Sequence, residues 1–296
     1  MTPTIFTSPQ DLTFHKGHSY YQQGYFNSQQ YQQFLAYSSD SFFMPADIID
    51  NRAISIPRSP FGSIFCLNET SVGLESFLNH IKNDLLNKNV TELILHHPSS
   101  IYSNYPAPEI LKDYGGEILF EDLNQHIPLN QNWEDDIHTM QKRKLKTLID
   151  DGFVFRKMEE NELLTAHRFL TVCRQAQGLQ INIEWERLKL LNENLPGKYE
   201  CFGVFRDQKI SAVCISVNVT DQITYYYLPA TSPMFRNQSP MVLLIAGMVE
   251  YYRVKGYKYL DLGISSIEGK PQEPLKLFKE RMGGLTTSKP TLRLSL

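Results

Sequence analysis

The sequence predicts an α/β (α+β) fold in which mixed, mostly antiparallel sheet is flanked by helices, and three observations carry that reading. First, ECFGVF (Glu200–Phe205), ISAVCISVNV (Ile210–Val219) and ITYYYL (Ile223–Leu228) are strand-like runs joined by short polar turns. Turns that short force the three to lie side by side as an antiparallel meander. Second, ITYYYL is followed by an apolar helix, Pro240–Lys255, and another strand, Tyr257–Ile264. A strand–helix–strand order makes the two strands parallel neighbours through a right-handed crossover. Third, the first part of the chain reads as a strand pair, a basic loop, a helix and a strand.

At 296 residues the chain can form one large domain or two of ordinary size. With 42% hydrophobic and 21% charged residues it is ordinary globular material, not a disordered chain. A formal net charge of −3 offers no global attraction for DNA or an anionic membrane. Cys66, Cys173, Cys201 and Cys214 lie in apolar surroundings without C-x-x-C spacing, so neither a disulfide framework nor a zinc site is expected. The N-terminal stretch lacks the basic start and apolar core of a signal peptide, and the most apolar run, Met241–Val249, is too short to span a bilayer. The expectation is a cytoplasmic protein without metal or membrane span, in which the sequons at Asn68, Asn89 and Asn218 are chance matches.

Taken in order, Tyr20–Tyr37 is rich in Gln, Tyr and Ser, and Phe26, Gln30, Phe34 and Tyr37 fall at helical spacing, predicting a surface helix with an aromatic stripe. His15 and His18 precede it as surface histidines. Ser41–Pro45 and Ala53–Pro57 read as strands around an Asp50-Asn51 turn, followed by the loop Arg58–Gly62 and an apolar run, Ser63–Leu67. Val72–Asn87 places Leu74, Phe77, Leu78, Ile81 and Leu85 on one helical face, and Thr91–His96 is a strand. Glu117–Asp122 and Gln125–Leu129 are strand-like. Trp133–Asp150 reads as one helix whose QKRKLK bases are bracketed by acids, the pattern of a solvated connecting helix. Phe153–Lys157 begins a new strand, and helices follow over 160–178 and 184–193. Beyond the meander, Glu273–Met282 is a basic amphipathic helix and Thr291–Leu296 a last strand.

Alternation puts Ile223, Tyr225 and Tyr227 on one strand face and Thr224, Tyr226 and Leu228 on the other. In the second strand of the crossover, Leu260, Leu262 and Ile264 oppose Tyr257, Tyr259 and Asp261. Between strand and helix, Ser239 is a good N-cap before Pro240, so Arg236, Asn237, Gln238 and Ser239 lie beside the positive end of a helix dipole. Free backbone N–H groups there make a natural seat for an anion such as pyrophosphate.

That element order, with the tail YLDLGISSIEG…LKLFKERMGG, resembles the Fem-like, acetyltransferase-6-like branch of the GNAT acyltransferase superfamily. The resemblance implies two GNAT-like domains: residues 1–130 as a degenerate, acceptor-side unit, 131–152 as the connecting helix, and 153–296 as the acyl-donor unit. It also implies an N-acyltransferase moving an acetyl or aminoacyl group to a small-molecule or peptide amine, with acyl-CoA as donor. The equivalent of the acyl-CoA turn reads Arg236-Asn237-Gln238-Ser239-Pro240-Met241, without the usual glycines. An aminoacyl-tRNA donor is the alternative, against which stand the net charge and the missing helical arm of some tRNA-using Fem proteins. A catalytically silent ligand-binding module is a further reading.

Within the resemblance, Asp261 handles the amine proton and Tyr227 donates to the leaving group. Exposed backbone N–H groups of the first parallel strand, Leu228 among them, bind the acyl carbonyl. Arg236, Asn237, Gln238 and Ser239 would hold donor phosphates, and Lys276 and Lys279 donor phosphates or an acidic acceptor. Arg58, Tyr225 and Tyr259 would face the acceptor. A structural role for Asp261, paired with Lys279, is the competing expectation.

Overall fold

The structure is a computed structural model that describes residues 3–12, 18–56, 59–67, 72–102, 107–129, 132–181 and 183–296. The first part of the chain forms β1 (Thr4–Phe6), α1 (Gln23–Asn27), β2 (Phe34–Ser38), β3 (Phe42–Ile49), β4 (Arg52–Ile54), β5 (Phe65–Cys66), α2 (Leu74–Asn87), β6 (Glu92–His96), α3 (Ala107–Asp113) and β7 (Glu117–Pro128). The helices α4 (Trp133–Asp136) and α5 (Thr139–Asp150) lead into β8 (Val154–Lys157), α6 (Leu163–Gln175), α7 (Trp185–Asn194), β9 (Tyr199–Arg206), β10 (Lys209–Asn218) and β11 (Ile223–Thr231). The chain closes with α8 (Met241–Val254), β12 (Tyr259–Ile264), β13 (Ser266–Ile267), β14 (Lys270–Pro271), α9 (Glu273–Arg281) and β15 (Leu285–Ser295).

The fold class is the predicted one. Among the described residues thirteen strands make one sheet in the order β1-β2-β3-β4-β6-β15-β7-β12-β11-β10-β9-β8, with β5 paired to β3. The meander β9–β10–β11 is antiparallel, and the crossover through α8 makes β11 and β12 parallel. A second parallel pair, β4 and β6, is bridged by α2. Each part of the chain lends its last strand to the other: β7 pairs with β12, and β15 lies between β6 and β7. Such pairings join residues far apart in sequence and leave no local periodicity to read.

Among the described residues three cores hold the layers. One is shared: α6 and α7 pack Leu170, Leu188 and Leu191 with Phe34 and Phe43 from β2 and β3 and with Val213, Ile215 and Leu228 from β10 and β11. Behind the second part, α8 buries Leu244, Met248 and Tyr252 against Phe202, Val204 and Leu260. Behind the first, α2 buries Phe77, Leu78 and Ile81 with Leu93, Leu95 and Leu292.

Several local expectations change. The predicted helix over Tyr20–Tyr37 stops at Asn27, and Phe34–Ser38 is the buried strand β2. Its side chains serve both faces: Phe34 joins the shared core, while Tyr37 packs behind the first part and donates to Asp84 at 2.7 Å. His18 is not a surface residue; its ring stacks on Tyr21, centroids 3.9 Å apart, whereas His15 lies outside the described residues. The helix expected over Trp133–Asp150 is interrupted where His138 turns extended (φ −60°, ψ 140°) and accepts the Met140 N–H as a new cap. The two strand-like runs after residue 116 are one strand, β7. The Asp50-Asn51 turn is as expected, with φ of 48° and 61°, the conformation of a tight hairpin.

Candidate active site

Asp261 and Tyr225 meet where β11 and β12 part, while Tyr227 does not line the cavity that opens there. Their parallel pairing covers Ile223↔Tyr259, Thr224↔Leu260 and Tyr225↔Asp261, and the two strands run on separately from there. Both strands are bulged at this level. On β11, Tyr226 and Tyr227 together oppose the single residue Ser216, because Ile215 pairs with Leu228 and Val217 with Tyr225. An extra residue in one strand leaves a backbone unit unpaired and increases the local bend. It also resets the alternation: Tyr225 and Tyr227 share one face as predicted, here the one toward the shared core, but Leu228 turns to that same side instead of the opposite one.

On β12 the irregularity falls between Asp261 and Gly263, and Gly263 takes φ +74°, a region glycine enters without steric cost. Leu260 and Leu262 stay in the core behind α8, but Ile264 is turned to the side of Asp261, not to that of the leucines. Lys279 of α9 fastens this bend by donating to the carbonyls of Gly263 (2.9 Å) and Ile264 (2.8 Å). Burial pushes its ammonium down to about 8, while the Asp261 charge pulls the other way.

A cavity of about 230 Å³ opens at this point, with Asp261 and Tyr225 in its wall. Asp261 is almost fully buried, and among the described residues three donors meet its carboxylate. Tyr102 Oη donates to Oδ2 at 2.7 Å; Asn124 Nδ2 at 2.9 Å and the Gly263 N–H at 2.8 Å donate to Oδ1. A carboxylate offers about four acceptor positions, so one on Oδ2 is left for a substrate. Tyr102 follows β6, Asn124 belongs to β7, and Lys289 reaches the same cavity from β15. The loop after β4 supplies Ser59 and Phe61, whose ring packs edge-on to Tyr102 (4.6 Å) and Tyr225 (5.7 Å).

This wall therefore draws on both parts of the chain, and the exchanged strands are what bring them together. Burial, reinforced by the Asp261 charge, raises the Tyr102 phenol well above its ordinary value. Burial lowers the Lys289 ammonium, and Asp261 and Asp122 oppose the shift.

The remaining sequence-predicted residues are placed as follows. Tyr227 is half-buried beside Tyr225, ring centroids 5.8 Å apart, and burial raises its phenol. Tyr259 lies two residues before Asp261 with its ring edge-on to His126. Arg236, Asn237 and Gln238 are exposed at the end of a short 3-10 turn before α8. Ser239 does not act as the expected side-chain cap: it adopts φ +60°, its Oγ accepts from Lys144 Nζ at 3.1 Å, and α8 starts at Met241. Lys276 pairs with Glu280 at 2.9 Å on α9. Asp261 and Lys279 do not form the pair weighed from the sequence, since the lysine is taken up by the two carbonyls. Arg58 lies outside the described residues. Sequence reasoning missed Tyr102, Asn124 and Lys289, which lie in stretches without a motif.

Among the described residues no cluster of His, Cys, Asp or Glu could hold a metal ion, and no helix is long and apolar enough to cross a membrane.

Residues 141–274 match the family model described as an acetyltransferase (GNAT) domain, Acetyltransf_6. No curated protein matches the sequence. Among solved structures, FemX is 12% identical with a TM-score of 0.66, over 89% of this chain and 87% of that one. L-PGS from Bacillus licheniformis is 11% identical with a TM-score of 0.61, covering 88% of this chain and 83% of the other. A tandem GNAT protein from the clavulanic acid biosynthesis pathway is 10% identical with a TM-score of 0.54, over 92% and 86% of the two chains. Identities this low show a shared fold and nothing finer. Residues 141–274 thus match an acetyltransferase (GNAT) domain, within an overall fold shared with FemX and a tandem GNAT protein.

Proposed function

We propose that the protein is an N-acyltransferase that moves an acyl group from an activated donor to an amine held in the cavity beside Asp261. The observation that supports it most directly is the parting of β11 and β12 immediately beyond the Tyr225↔Asp261 pair, with a cavity of mixed lining at the fork. The backbone N–H of Leu228, on the bulged strand of that fork, is proposed to polarise the acyl carbonyl. The amine nitrogen attacks the carbonyl carbon, forming the amide C–N bond as the bond to the donor's sulfur or oxygen breaks. Asp261 takes the amine proton directly or through water. Tyr227, kept protonated by burial, returns a proton to the departing group.

Acyl-CoA is the proposed donor. Arg236, Asn237, Gln238 and Ser239 sit at the start of α8, where the helix dipole favours phosphate, and Lys144 adds a positive charge through its bond to Ser239. Lys276 stands on α9 as a further cation, and Tyr225 and Tyr259 are proposed for the acceptor side. In this reading residues 1–130 serve the acceptor and 153–296 the donor, joined through 131–152.

Calorimetric titration with acetyl-CoA and longer acyl-CoAs, followed by assay of thiol release with a panel of amines, tests the proposal. Donor binding with amine-dependent release supports it. Transfer only from aminoacyl-tRNA would keep the reaction and change the donor. No transfer from either donor would leave a binding module and end the proposal.

A further inference from the structure

The cavity at the fork holds two opposite charges that are not paired with each other. Asp261 already accepts three hydrogen bonds and has one acceptor position left. Lys289 lines the same space, and its ammonium makes no hydrogen bond or ion pair among the described residues. Its strand partner Asp122 is engaged elsewhere: the Ser266 hydroxyl donates to Asp122 Oδ1 at 2.6 Å and the Gly269 N–H at 3.0 Å. Lys289 is half-buried, and Asp261 and Asp122 attract its ammonium without bonding it, so a ligand anion in the cavity would gain a charge-assisted hydrogen bond there.

The rest of the wall is neutral and mixed. Ser59 and Ser99 bring hydroxyls, each already bonded within the protein, to the Phe61 O and to Thr287 Oγ1. Phe61, Tyr102 and Tyr225 bring ring surface. At about 230 Å³ the space is smaller than the roughly 300–1,000 Å³ usual for drug-sized ligands. A small molecule with an amine at one end and an anion at the other matches such a wall, whereas a plain amine leaves Lys289 unmet.

We propose that the acceptor is a small free amino acid, bound as its zwitterion with the amine at Asp261 and the carboxylate at Lys289. This deepens the proposed acyl transfer by naming the acceptor's class, and it rests on that reading. It makes Lys289 a specificity-determining residue, because the ammonium distinguishes an amino acid from an amine of the same shape.

The test is calorimetry on the full chain without any acyl donor. The probes are a panel of free L-amino acids including alanine, serine and lysine, with the amides of the same amino acids lacking the carboxylate anion. The expected result is binding of at least one amino acid, with its amide bound at least tenfold more weakly. Lys289→Met should weaken the amino acid by at least tenfold while leaving the amide unchanged, and Lys289→Arg should restore part of the loss. A circular dichroism melt unchanged in Lys289→Met shows that the loss is not one of folding.

An amide bound as tightly as its amino acid, indifference to Lys289→Met, or no amino acid bound at millimolar concentration would each overturn the assignment. These outcomes are separable from failure of the transferase reading. Amino acid binding without transfer from any donor would sink the reaction and keep the site. Transfer to simple amines independent of Lys289 would do the opposite.

Discussion

Tyr102 and Asp261, 159 positions apart in the chain, share a 2.7 Å hydrogen bond in which the phenol donates to the carboxylate. The bond joins the loop after β6 to the end of β12, so neither part of the chain builds this site alone. Tyr102→Phe keeps the ring that packs on Phe61 and removes only the hydroxyl. Hydrogen bonds to charged groups contribute about 1.5–3 kcal/mol, and a loss in that range is expected in urea unfolding. A destabilisation below about 0.5 kcal/mol, the ordinary scale of a neutral surface change, would mean that the bond is not formed in solution.

The proposed base is tested by Asp261→Asn. The amide oxygen still accepts from the Gly263 N–H and from Asn124, so the β12 bend should survive. A general base contributes about 10²–10⁴ in rate, and a fall in kcat of at least about 100-fold is expected, with donor KM changed little. An unchanged kcat would remove Asp261 from the reaction and leave it as a fastening for Tyr102, Asn124 and Gly263.

Lys279 was placed among the donor-phosphate ligands from the sequence, and its position in the structure supports a different test outcome. The residue is 5% exposed, and its ammonium is bonded to two carbonyls at the end of β12. Lys279→Met strands those carbonyls, and an unsatisfied buried acceptor costs about 1–3 kcal/mol. The expected signature is therefore a lower unfolding midpoint with donor affinity within about threefold of the wild type, a change small against the tenfold that 1.4 kcal/mol represents. Tenfold weaker donor binding at unchanged stability would return Lys279 to the phosphates.

How much of this was legible in the chain follows from the range of the interactions. The meander and the crossover at β11–α8–β12 rest on turns and periodicity within a few tens of residues, and they stand as predicted. Asp261 and Tyr225 fall within that span, and the structure brings them into one cavity wall. Phe34–Ser38 was misread because aromatic residues at helical spacing also satisfy a strand buried on both faces. The orientations of Leu228 and Ile264 were misread because a bulge shifts alternation by one residue and has no consistent sequence mark. Tyr102 and Lys289 were invisible for a topological reason: they reach the cavity through the loop after β6 and through β15, whose pairing with β6 and β7 spans the chain.

Glycine at position 263 ties that bend to the cavity. Its φ of +74° disfavours any side chain, and an added Cβ would lie 3.0 Å from Tyr225 Cε2 and 3.2 Å from its hydroxyl. Gly263→Ala should therefore cost more than the 0.4–1 kcal/mol scale of ordinary Gly/Ala exchanges and displace the Tyr225 ring within the cavity. If the cavity is the acceptor site, acceptor KM should rise more than kcat falls. Unchanged stability and kinetics would show that the β12 bend relaxes freely.

A pH series on Glu200 probes stability away from the cavity. Burial alone would raise its carboxyl, but hydrogen bonds from Lys157, Asn218, Tyr251 and Lys255 overcome this and hold it at about 2 instead of 4.5. Lys157 Nζ lies at 2.7 Å, Lys255 Nζ at 3.1 Å and Tyr251 Oη at 2.8 Å, and the carboxylate side chain is only 8% exposed. A depressed carboxyl stabilises the fold above the unfolded value, and the gain is lost as the pH falls from 4.5 toward 2. Its size is on the order of 3 kcal/mol. Glu200→Gln should thus be less stable than wild type at pH 7 by about that amount, with the gap closing across that acid window. Both lysines are nearly half exposed, so the variant leaves no buried cation to complicate the comparison. A gap that stays constant from pH 6 to pH 2 would mean that the carboxylate's charge contributes nothing, and that shape alone distinguishes the two proteins.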